Sequence, residues 1–245
     1  MTIAVMQPYI FPYLGYYQLV NAVDKFIFFD DVNFINKGWI NRNRILVNSE
    51  DFRFTIPLIK ASQNRMINEI EIADFGKWRI DFLRTLENSY KKAPFFSFFY
   101  QWIFDFLHSR NYITISELAE DSVIGVASLL GVSVEFMKSS SLDYKISEFQ
   151  SGQDKIISIC KLMNANHYIN PINGMDIYDG EKFQSEKIVL DFIKMREVIY
   201  DQFGKSDFVS SLSVIDVLMF LPLEEIKLLL GQYDLVKKMI TNAIK

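Results

Sequence analysis

Cysteine and histidine are scarce in this chain. Cys160 is the only cysteine, and His108 and His167 are the only histidines among 245 residues. A single cysteine cannot form an intramolecular disulfide, which favours a cytoplasmic protein. These three residues are too few for the usual Cys/His zinc sites, so we expect no structural zinc. The sequence leaves any other cofactor unknown.

Long apolar runs and glycine-rich phosphate loops are also missing. The apolar runs stay well short of the ~20 residues of a membrane-spanning helix, so we expect no membrane span. Neither a P-loop nor a GxGxxG pattern occurs, which counts against two common solutions for phosphate binding. Lys and Arg total 26 against 30 Asp and Glu, so no general basic character favours nucleic acid. Half of the residues are apolar, enough for a folded core, and homo-oligomer formation stays open.

Short apolar segments alternate with helical patterns along the whole chain. Such alternation is typical of an α/β protein, here a Rossmann-like, mostly parallel sheet with an added helical layer or subdomain. We expect one domain over residues 1–245, a helical insertion around 76–110 and a C-terminal helix over 223–244. The predicted strands are Ile3–Met6, Lys25–Phe29, Phe52–Ile56, Val134–Met137, Tyr168–Asn170 and Ile188–Phe192. The other predicted helices are Leu14–Ala22, Trp78–Tyr90, Ser97–His108, Ser116–Leu130 and Gln153–Met163.

The first polar cluster directly follows the first predicted strand. It runs from Gln7 to Tyr17 and contains two prolines and a glycine. Two prolines can simply stiffen a surface turn. However, open parallel sheets bind ligands at the carboxyl ends of their strands, where Gln7 would lie. The amide of Gln7 and the free N–H groups of the following helix could then face an anion.

The second cluster follows the second predicted strand. Asp30 and Asp31 could bind a ribose hydroxyl, a magnesium ion or a substrate ammonium, and one of them could act as a base. Arg42 and Arg44 carry forked donors suited to carboxylate or phosphate. They would share one face of an extended segment, because side chains alternate along a strand. A solvated charged hairpin is the structural alternative.

The third cluster follows the predicted strand Tyr168–Asn170. Its Asn173-Gly174 pair is a strong turn signal, so a tight turn is the structural alternative to a binding role. Three other chemistry-bearing residues are more simply explained by structure. His167 is expected to pack or hydrogen-bond, Cys160 lies on the apolar face of its helix, and His108 ends a helix.

Taken together, the three clusters resemble the WbqC-like protein family over nearly the full chain. The resemblance rests on Gln-Pro-x-x-x-Pro-x-x-Gly in Gln7–Gly15, on Asp-Asp-Val-x-Phe and Gly-Trp-x-Asn-Arg-Asn in Asp30–Asn43, and on Tyr-x-Asn-Pro from Tyr168 to Pro171. Gly152-x-Asp154-x-Ile156 and Leu212–Asp216 also fit. The family is associated with bacterial surface polysaccharide and O-antigen synthesis.

The resemblance implies a transferase that moves an acyl or aminoacyl group, such as glycyl, onto an amino sugar or nucleotide-sugar. Its partners would be that small-molecule substrate and an activated acyl donor. The implied catalytic residues are Asp30 and Asp31. The implied substrate- or donor-binding residues are Gln7, Tyr9, Tyr16, Lys37, Asn41, Arg42, Arg44, Asn170, Asn173, Gly174 and Tyr178.

Two other functions stay open. The segment Phe11–Tyr16 is similar to the HxGH signature of nucleotidylyltransferases, with tyrosines, Tyr16 among them, in place of both histidines. A nucleotide-dependent ligase or nucleotidylyltransferase-like enzyme is therefore one alternative. A non-catalytic protein that binds a sugar nucleotide is the other.

Overall fold

The computed structural model describes residues 1–144, 151–204 and 208–238. Eight strands and eight α-helices lie within these ranges. The strands are β1 (Thr2–Met6), β2 (Lys25–Phe28), β3 (Arg42–Val47), β4 (Glu50–Thr55), β5 (Glu135–Lys138), β6 (His167–Pro171), β7 (Val189–Met195) and β8 (Tyr233–Lys237). The helices are α1 (Leu14–Asn21), α2 (Phe75–Tyr90), α3 (Phe96–His108), α4 (Ile115–Leu129), α5 (Gly152–Leu162), α6 (Gly180–Ser185), α7 (Val214–Phe220) and α8 (Leu223–Leu229).

Six strands form the main sheet, in the order β5-β2-β1-β6-β7-β8. All neighbours are parallel except β7 and β8, which are antiparallel. If the separate β3–β4 hairpin is set aside, the chain order across the sheet is 3-2-1-4-5-6, the order typical of Rossmann folds. The protein therefore has an α/β, Rossmann-like fold with helical additions, as predicted.

The two faces of the main sheet carry separate apolar clusters because side chains alternate along each strand. Ala4 of β1 and Phe26 of β2 belong to the larger cluster, which also contains buried residues of α1–α4, α7 and α8 and the hairpin. Ile3 and Ile27 point to the opposite face and pack with residues of α5 and α6. The added helices α2 and α3 therefore thicken only one side of the sheet.

Local sequence signals explain where several helices begin. The Thr114 side chain accepts a hydrogen bond from Glu117 N at the start of α4, and Ser151 accepts from Asp154 N at the start of α5. Both pairs are capping boxes, in which the third helical residue bonds back to the cap. The Asp74 side chain caps α2 by accepting a hydrogen bond from Lys77 N.

The predicted C-terminal helix over 223–244 is wrong. α8 ends at Leu229, and β8 follows as an edge strand antiparallel to β7. Gly231 lies in the break between them, and a glycine after a helix favours its termination. Residues 239–244 of the predicted helix lie outside the described residues.

Candidate functional site

The carboxyl ends of the parallel strands lie together at one end of the sheet, which we call its carboxyl edge. β1 ends at Met6, directly before Gln7; β2 ends at Phe28, two residues before Asp30; and β5 ends at Lys138. The chain turns from one half of the sheet to the other between β1 and β6. In open α/β sheets this switch point forms the ligand-binding crevice.

Asp30 is the best-connected polar residue of this edge. Its side chain is 2% exposed and accepts hydrogen bonds from Ser140 N at 2.9 Å and Ser140 Oγ at 2.6 Å. Ser139 Oγ at 3.1 Å and Asn68 Nδ2 at 3.4 Å complete its shell. With both carboxylate oxygens already accepting bonds inside the protein, Asp30 mainly organises its neighbours.

Asp31 lies beside this cluster and is more accessible. Ser139 Oγ hydrogen-bonds one carboxylate oxygen, and Tyr144 OH donates to the other at 2.7 Å. Burial first, and then the bond to Asp31, raise the pKa of Tyr144, so its hydroxyl stays protonated and donates. Asp31 is therefore a half-buried carboxylate held in one orientation. We call Asp30, Asp31, Ser139, Ser140 and Tyr144 the edge cluster.

A buried ion pair adjoins the edge cluster. Glu120 of α4 is 1% exposed, and its carboxylate lies 2.5 Å from Lys138 Nζ, at the end of β5. The second oxygen of Glu120 accepts from Ser116 Oγ. Burial raises the pKa of Glu120, an effect that the bonds to Lys138 and Ser116 reduce. The pair fixes the end of β5 immediately before the two serines that hold Asp30.

The opening loop, residues 7–13, passes over the same edge. Tyr16 OH donates to Gln7 O at 2.9 Å, so the predicted binding residue Tyr16 is committed to the loop itself and is 2% exposed. The ring of Tyr9, half-buried, lies 5.7 Å from that of Tyr16. Gln7 is also half-buried. Gln7 and Tyr9 are therefore the side chains that this loop offers to a ligand.

Phe11 is the fixed point of the opening loop. Its φ of 39° is unusual for a bulky residue, and three hydrogen bonds hold it there. Phe11 N donates to Ser122 Oγ at 3.0 Å, while Phe11 O accepts from Asn43 Nδ2 at 2.7 Å and from Ser213 Oγ at 2.6 Å. The loop is thus tied to α4, the hairpin and the start of α7.

The hairpin brings Arg42 and Arg44 to one face, as predicted. Their guanidinium carbons lie 6.0 and 5.9 Å from the centre of the Trp39 ring. Arg42 donates to Gly38 O at 2.8 Å, whereas Arg44 bonds Asp51 at 3.1 Å and Ser211 O at 3.2 Å. Both arginines already have partners within the protein.

Two other predicted residues of this segment differ in exposure. Asn41 donates to Ile56 O at 2.8 Å and so closes the base of the hairpin. Lys37 is exposed, with a φ of 63°.

The third cluster is arranged around Tyr168 of β6. Tyr168 OH donates to Asn170 Oδ1 at 3.0 Å, and its ring lies 6.0 Å from that of Tyr178. A Cβ on Gly174 would lie 1.9 Å from Asn170 Nδ2, so only glycine fits there. Asn170 is 6% exposed, whereas Asn173 is exposed at the surface. Most of this motif is therefore used in packing the end of β6.

The three sequence clusters meet through backbone contacts rather than through one shared set of side chains. Phe29 N donates to Met6 O at 2.7 Å, which joins the second cluster to the first, and Ile10 N donates to Ile40 O at 3.2 Å. β1 and β6 pair directly, which joins the first cluster to the third. The edge cluster, Gln7 and Tyr9 lie on this edge, while Arg44 turns toward Ser211.

Sequence reasoning missed several residues of the site. Lys138 ends the short strand β5 and Ser139 and Ser140 follow it; this segment carries no functional motif and lies over 100 positions from Asp30. Glu120 was hidden in a helical pattern. The available signal was a charged residue at a predicted buried helix position, because such residues are rarely buried unpaired.

The histidines and the cysteine lie away from the edge cluster. His167 begins β6, at the amino-terminal end of the strands, and its side chain hydrogen-bonds Asp191 at 2.9 Å and Thr2 at 3.2 Å. Cys160 is buried in α5, and burial raises the pKa of its thiol to about 12. Neither feature favours nucleophilic chemistry by the thiol. Among the described residues, no group of three or more His, Cys, Asp or Glu side chains could hold a metal ion.

Comparison with known proteins identifies the relatives of this chain. The WbqC-like protein family matches residues 7–228. The uncharacterized protein Rv1507c of Mycobacterium tuberculosis is 25% identical over 207 residues, which cover 84% of each chain. No solved structure matches at a significant level. No helix in the described ranges combines the length and apolarity needed to cross a membrane.

Proposed function

Because the chain belongs to the WbqC-like protein family, we propose that it is a transferase of bacterial surface polysaccharide (O-antigen) synthesis that moves an acyl or aminoacyl group onto an amino sugar or nucleotide-sugar. One observation carries the proposal. The edge cluster presents a fixed, half-buried carboxylate, Asp31, at the carboxyl edge of a Rossmann-like sheet. This carboxylate suits the ammonium group of an amino sugar, and Gln7 and Tyr9 lie on the loop that follows the neighbouring strand β1.

The transfer needs no enzyme nucleophile. Asp31 accepts one proton from the sugar ammonium, and the free amine then attacks the acyl carbonyl carbon. An amide bond forms, the bond from the carbonyl carbon to the leaving group breaks, and the leaving group takes the second proton of the amine. Asp30, Ser139 and Tyr144 keep Asp31 in place, so little reorganisation is needed during the reaction.

The acidic character of the edge cluster supports an amine as the acceptor. Lys138 directly precedes the serines that bind Asp30 and Asp31, but its charge is already paired with Glu120. A ligand that brings a positive charge compensates the remaining carboxylates. Arg42 is the predicted partner for negative charge on the donor, because its guanidinium uses one bond to Gly38 O and retains other donors.

The experiment is an N-acylation assay on the purified protein. A nucleotide-linked amino sugar is mixed with an acyl thioester or a glycyl thioester, and mass spectrometry measures the amide product. We expect product with wild type and about 10²-fold to 10⁴-fold less with Asp31→Asn. Asp105→Asn is the control, since Asp105 is an exposed carboxylate on α3. Failure to form product with either donor, or equal rates for wild type and Asp31→Asn, would overturn the proposal.

The strand order supports a second candidate, a nucleotide-dependent ligase or nucleotidylyltransferase-like enzyme. The 3-2-1-4-5-6 order is widespread among nucleotide-binding proteins. This candidate predicts pyrophosphate release when ATP and an amino acid are supplied. Amide formation from a preformed thioester without ATP would favour the transferase instead.

A further inference from the structure

The β3–β4 hairpin collects positive charge on one of its faces. Arg42 and Arg44 are two residues apart on β3, and Arg53 of β4 lies directly opposite Arg44. Side chains alternate along a strand and directly opposed residues share a face, so the three arginines lie on the same side of the hairpin. Asp51 is on that side too and pairs with Arg44 at 3.1 Å. We call Arg42, Arg44 and Arg53 the arginine face, which stays positive in a chain whose net charge is −4.

Arg53 is the arginine of this face that packing leaves free to bind. Its side chain is exposed, and within the part of the chain that the structure describes its guanidinium makes no hydrogen bond or ion pair. Arg44, directly opposite, is held by Asp51 and by Ser211 O. Like charges directly opposite each other destabilise a strand pair, and Asp51 neutralises only one of the two. A bound anion would relieve this repulsion.

Trp39 lies beside the arginine face. Its side chain is 41% exposed, and the centre of its ring lies 6.0 Å from the guanidinium carbon of Arg42 and 5.9 Å from that of Arg44. An exposed aromatic ring beside cations gives a planar base a surface on which to stack. The forked donors of arginine match the oxygens of phosphate. A ligand that carries both a base and phosphates therefore fits this surface better than a simple anion does.

The segment that carries Trp39 is fixed before any ligand binds. Arg42 Nε donates to Gly38 O at 2.8 Å, and Ile40 O accepts from Ile10 N at 3.2 Å. The residues on both sides of Trp39 are thus held in place. Arg42 uses only one donor in this bond and keeps the rest for a ligand. Binding at such a preformed surface incurs little entropy cost.

From these observations we infer that the arginine face and Trp39 bind a nucleoside diphosphate group. This inference rests on the proposed function for the role of the nucleotide, because a nucleotide-linked amino sugar and a coenzyme A thioester both contain this group. Nucleic acid offers the same chemical parts, but proteins that bind it generally make many phosphate contacts and are basic. Three arginines in a chain of net charge −4 favour a single nucleotide.

Calorimetric titration of the full chain tests the inference without any transfer reaction. Methyl diphosphate carries the diphosphate without a base, whereas UDP and ADP carry both. All affinities are compared at one low ionic strength, because salt screens exposed charges. We expect at least one of the two nucleotides to bind about tenfold more tightly than methyl diphosphate, through stacking on Trp39. Trp39→Ala should remove this difference and leave the affinity for methyl diphosphate unchanged.

Two matched arginine variants locate the diphosphate. Arg53→Gln should weaken the binding of all three ligands about tenfold, because a charge-assisted hydrogen bond is lost. Arg110→Gln is the control: Arg110 is also exposed and lies 4.5 Å from the Tyr112 ring, but its charge is paired with Asp121 at 2.7 Å. This control should bind like wild type. Thermal unfolding of both variants should match wild type, since neither side chain is buried.

The two nucleotides also distinguish the two sources of the diphosphate. Tighter binding of UDP would assign the site to a nucleotide-sugar acceptor, and tighter binding of ADP to a coenzyme A donor. Either preference supports the inference. It is overturned if neither nucleotide binds, if methyl diphosphate binds as tightly as both, or if Arg53→Gln and Arg110→Gln behave alike. An oligothymidylate that binds more tightly than both nucleotides would also overturn it, in favour of nucleic acid.

These outcomes are separate from failure of the proposed function. Nucleotide binding that depends on Arg53 and Trp39, without any amide product, would sink only the transferase. Amide formation by a protein that binds neither UDP nor ADP would sink only the nucleotide site.

Discussion

Two buried carboxylates of this protein accept similar numbers of hydrogen bonds but lie in different places. Asp30 belongs to the edge cluster at the end of β2. Asp216, which is 0% exposed in α7, accepts from Tyr90 OH at 2.7 Å, Tyr200 OH at 2.6 Å and Gln202 Nε2 at 2.8 Å. We call these four residues the interior cluster.

The two clusters differ in what lies next to them. Tyr90 OH also accepts from Leu46 N at 2.7 Å, so the interior cluster joins α7, α2 and the hairpin deep in the larger apolar cluster. The edge cluster instead continues to Asp31, which is only half-buried. A buried carboxylate with three or four donors is therefore not evidence of a site by itself. The half-buried Asp31 distinguishes the edge cluster from the interior cluster, whose role is structural.

Asp216→Ala should give the largest loss of stability. It leaves Tyr90, Tyr200 and Gln202 without their shared acceptor in a buried environment, so we expect the free energy of unfolding to fall by about 3 kcal/mol. Urea denaturation measures the change, with Asp105→Ala as the surface control. A loss below about 1 kcal/mol would contradict a structural role for the interior cluster.

Asp30→Ala should cost less, about 2 kcal/mol, because the donors it frees are closer to solvent. The exposed Ser140 supplies two of the freed donors and the half-buried Asn68 a third, while the buried Ser139 keeps its bond to Asp31. The same urea experiment compares the two alanine variants. If Asp30→Ala were more destabilising than Asp216→Ala, the distinction between edge and interior would fail.

Asp216→Asn should change how stability depends on pH. Burial raises the pKa of Asp216 above its ordinary value of 3.8, so the native state binds this proton more tightly than the unfolded chain does. The resulting stabilisation is fully present below pH 3.8 and is lost as the pH rises through the native pKa. Asparagine removes this contribution, which is at most about 1.4 kcal/mol per pH unit. Unfolding curves of both proteins across this range measure the slope, and parallel curves would contradict the prediction.

Asp31→Asn should have the smallest effect on stability, within about 0.5 kcal/mol, because Asp31 is half-buried and keeps an oxygen for Tyr144. Among the substitutions that leave the protein folded, Asp31→Asn should nevertheless reduce the rate of the transfer reaction the most. Thermal unfolding and the assay together make the comparison. If Asp31→Asn lost activity only in proportion to its loss of stability, Asp31 would have a structural role rather than a catalytic one.

Much of the fold could be predicted from sequence because its signals are local. β1, β2, β5, β6 and β7 are short apolar runs, and α4 and α5 begin at capping residues. β8 was missed because Tyr233–Lys237 is a partly exposed edge strand directly after a leucine-rich helix. Its pairing with β7 depends on residues about 40 positions away, which no local pattern contains.

The candidate site was only partly predictable for the same reason. Asp30 and Asp31 could be found because they follow a strand that ends at the carboxyl edge. Their partners Ser139 and Tyr144 could not, since hydrogen bonds across more than 100 residues leave no trace in spacing. Asn43, which holds the opening loop, was overlooked between two arginines that seemed chemically richer.

The hydrogen bonds of the opening loop have a consequence for recognition. Pro8 and Pro12 have no backbone N–H, and those of Ile10 and Phe11 are already used. The loop therefore cannot cradle a phosphate with successive amides, as a glycine-rich loop does. A ligand must be recognised by side chains on a backbone that is already ordered. Binding then incurs little entropy cost at this loop, and selectivity can change by substitution at Gln7 or Tyr9 without rebuilding the loop.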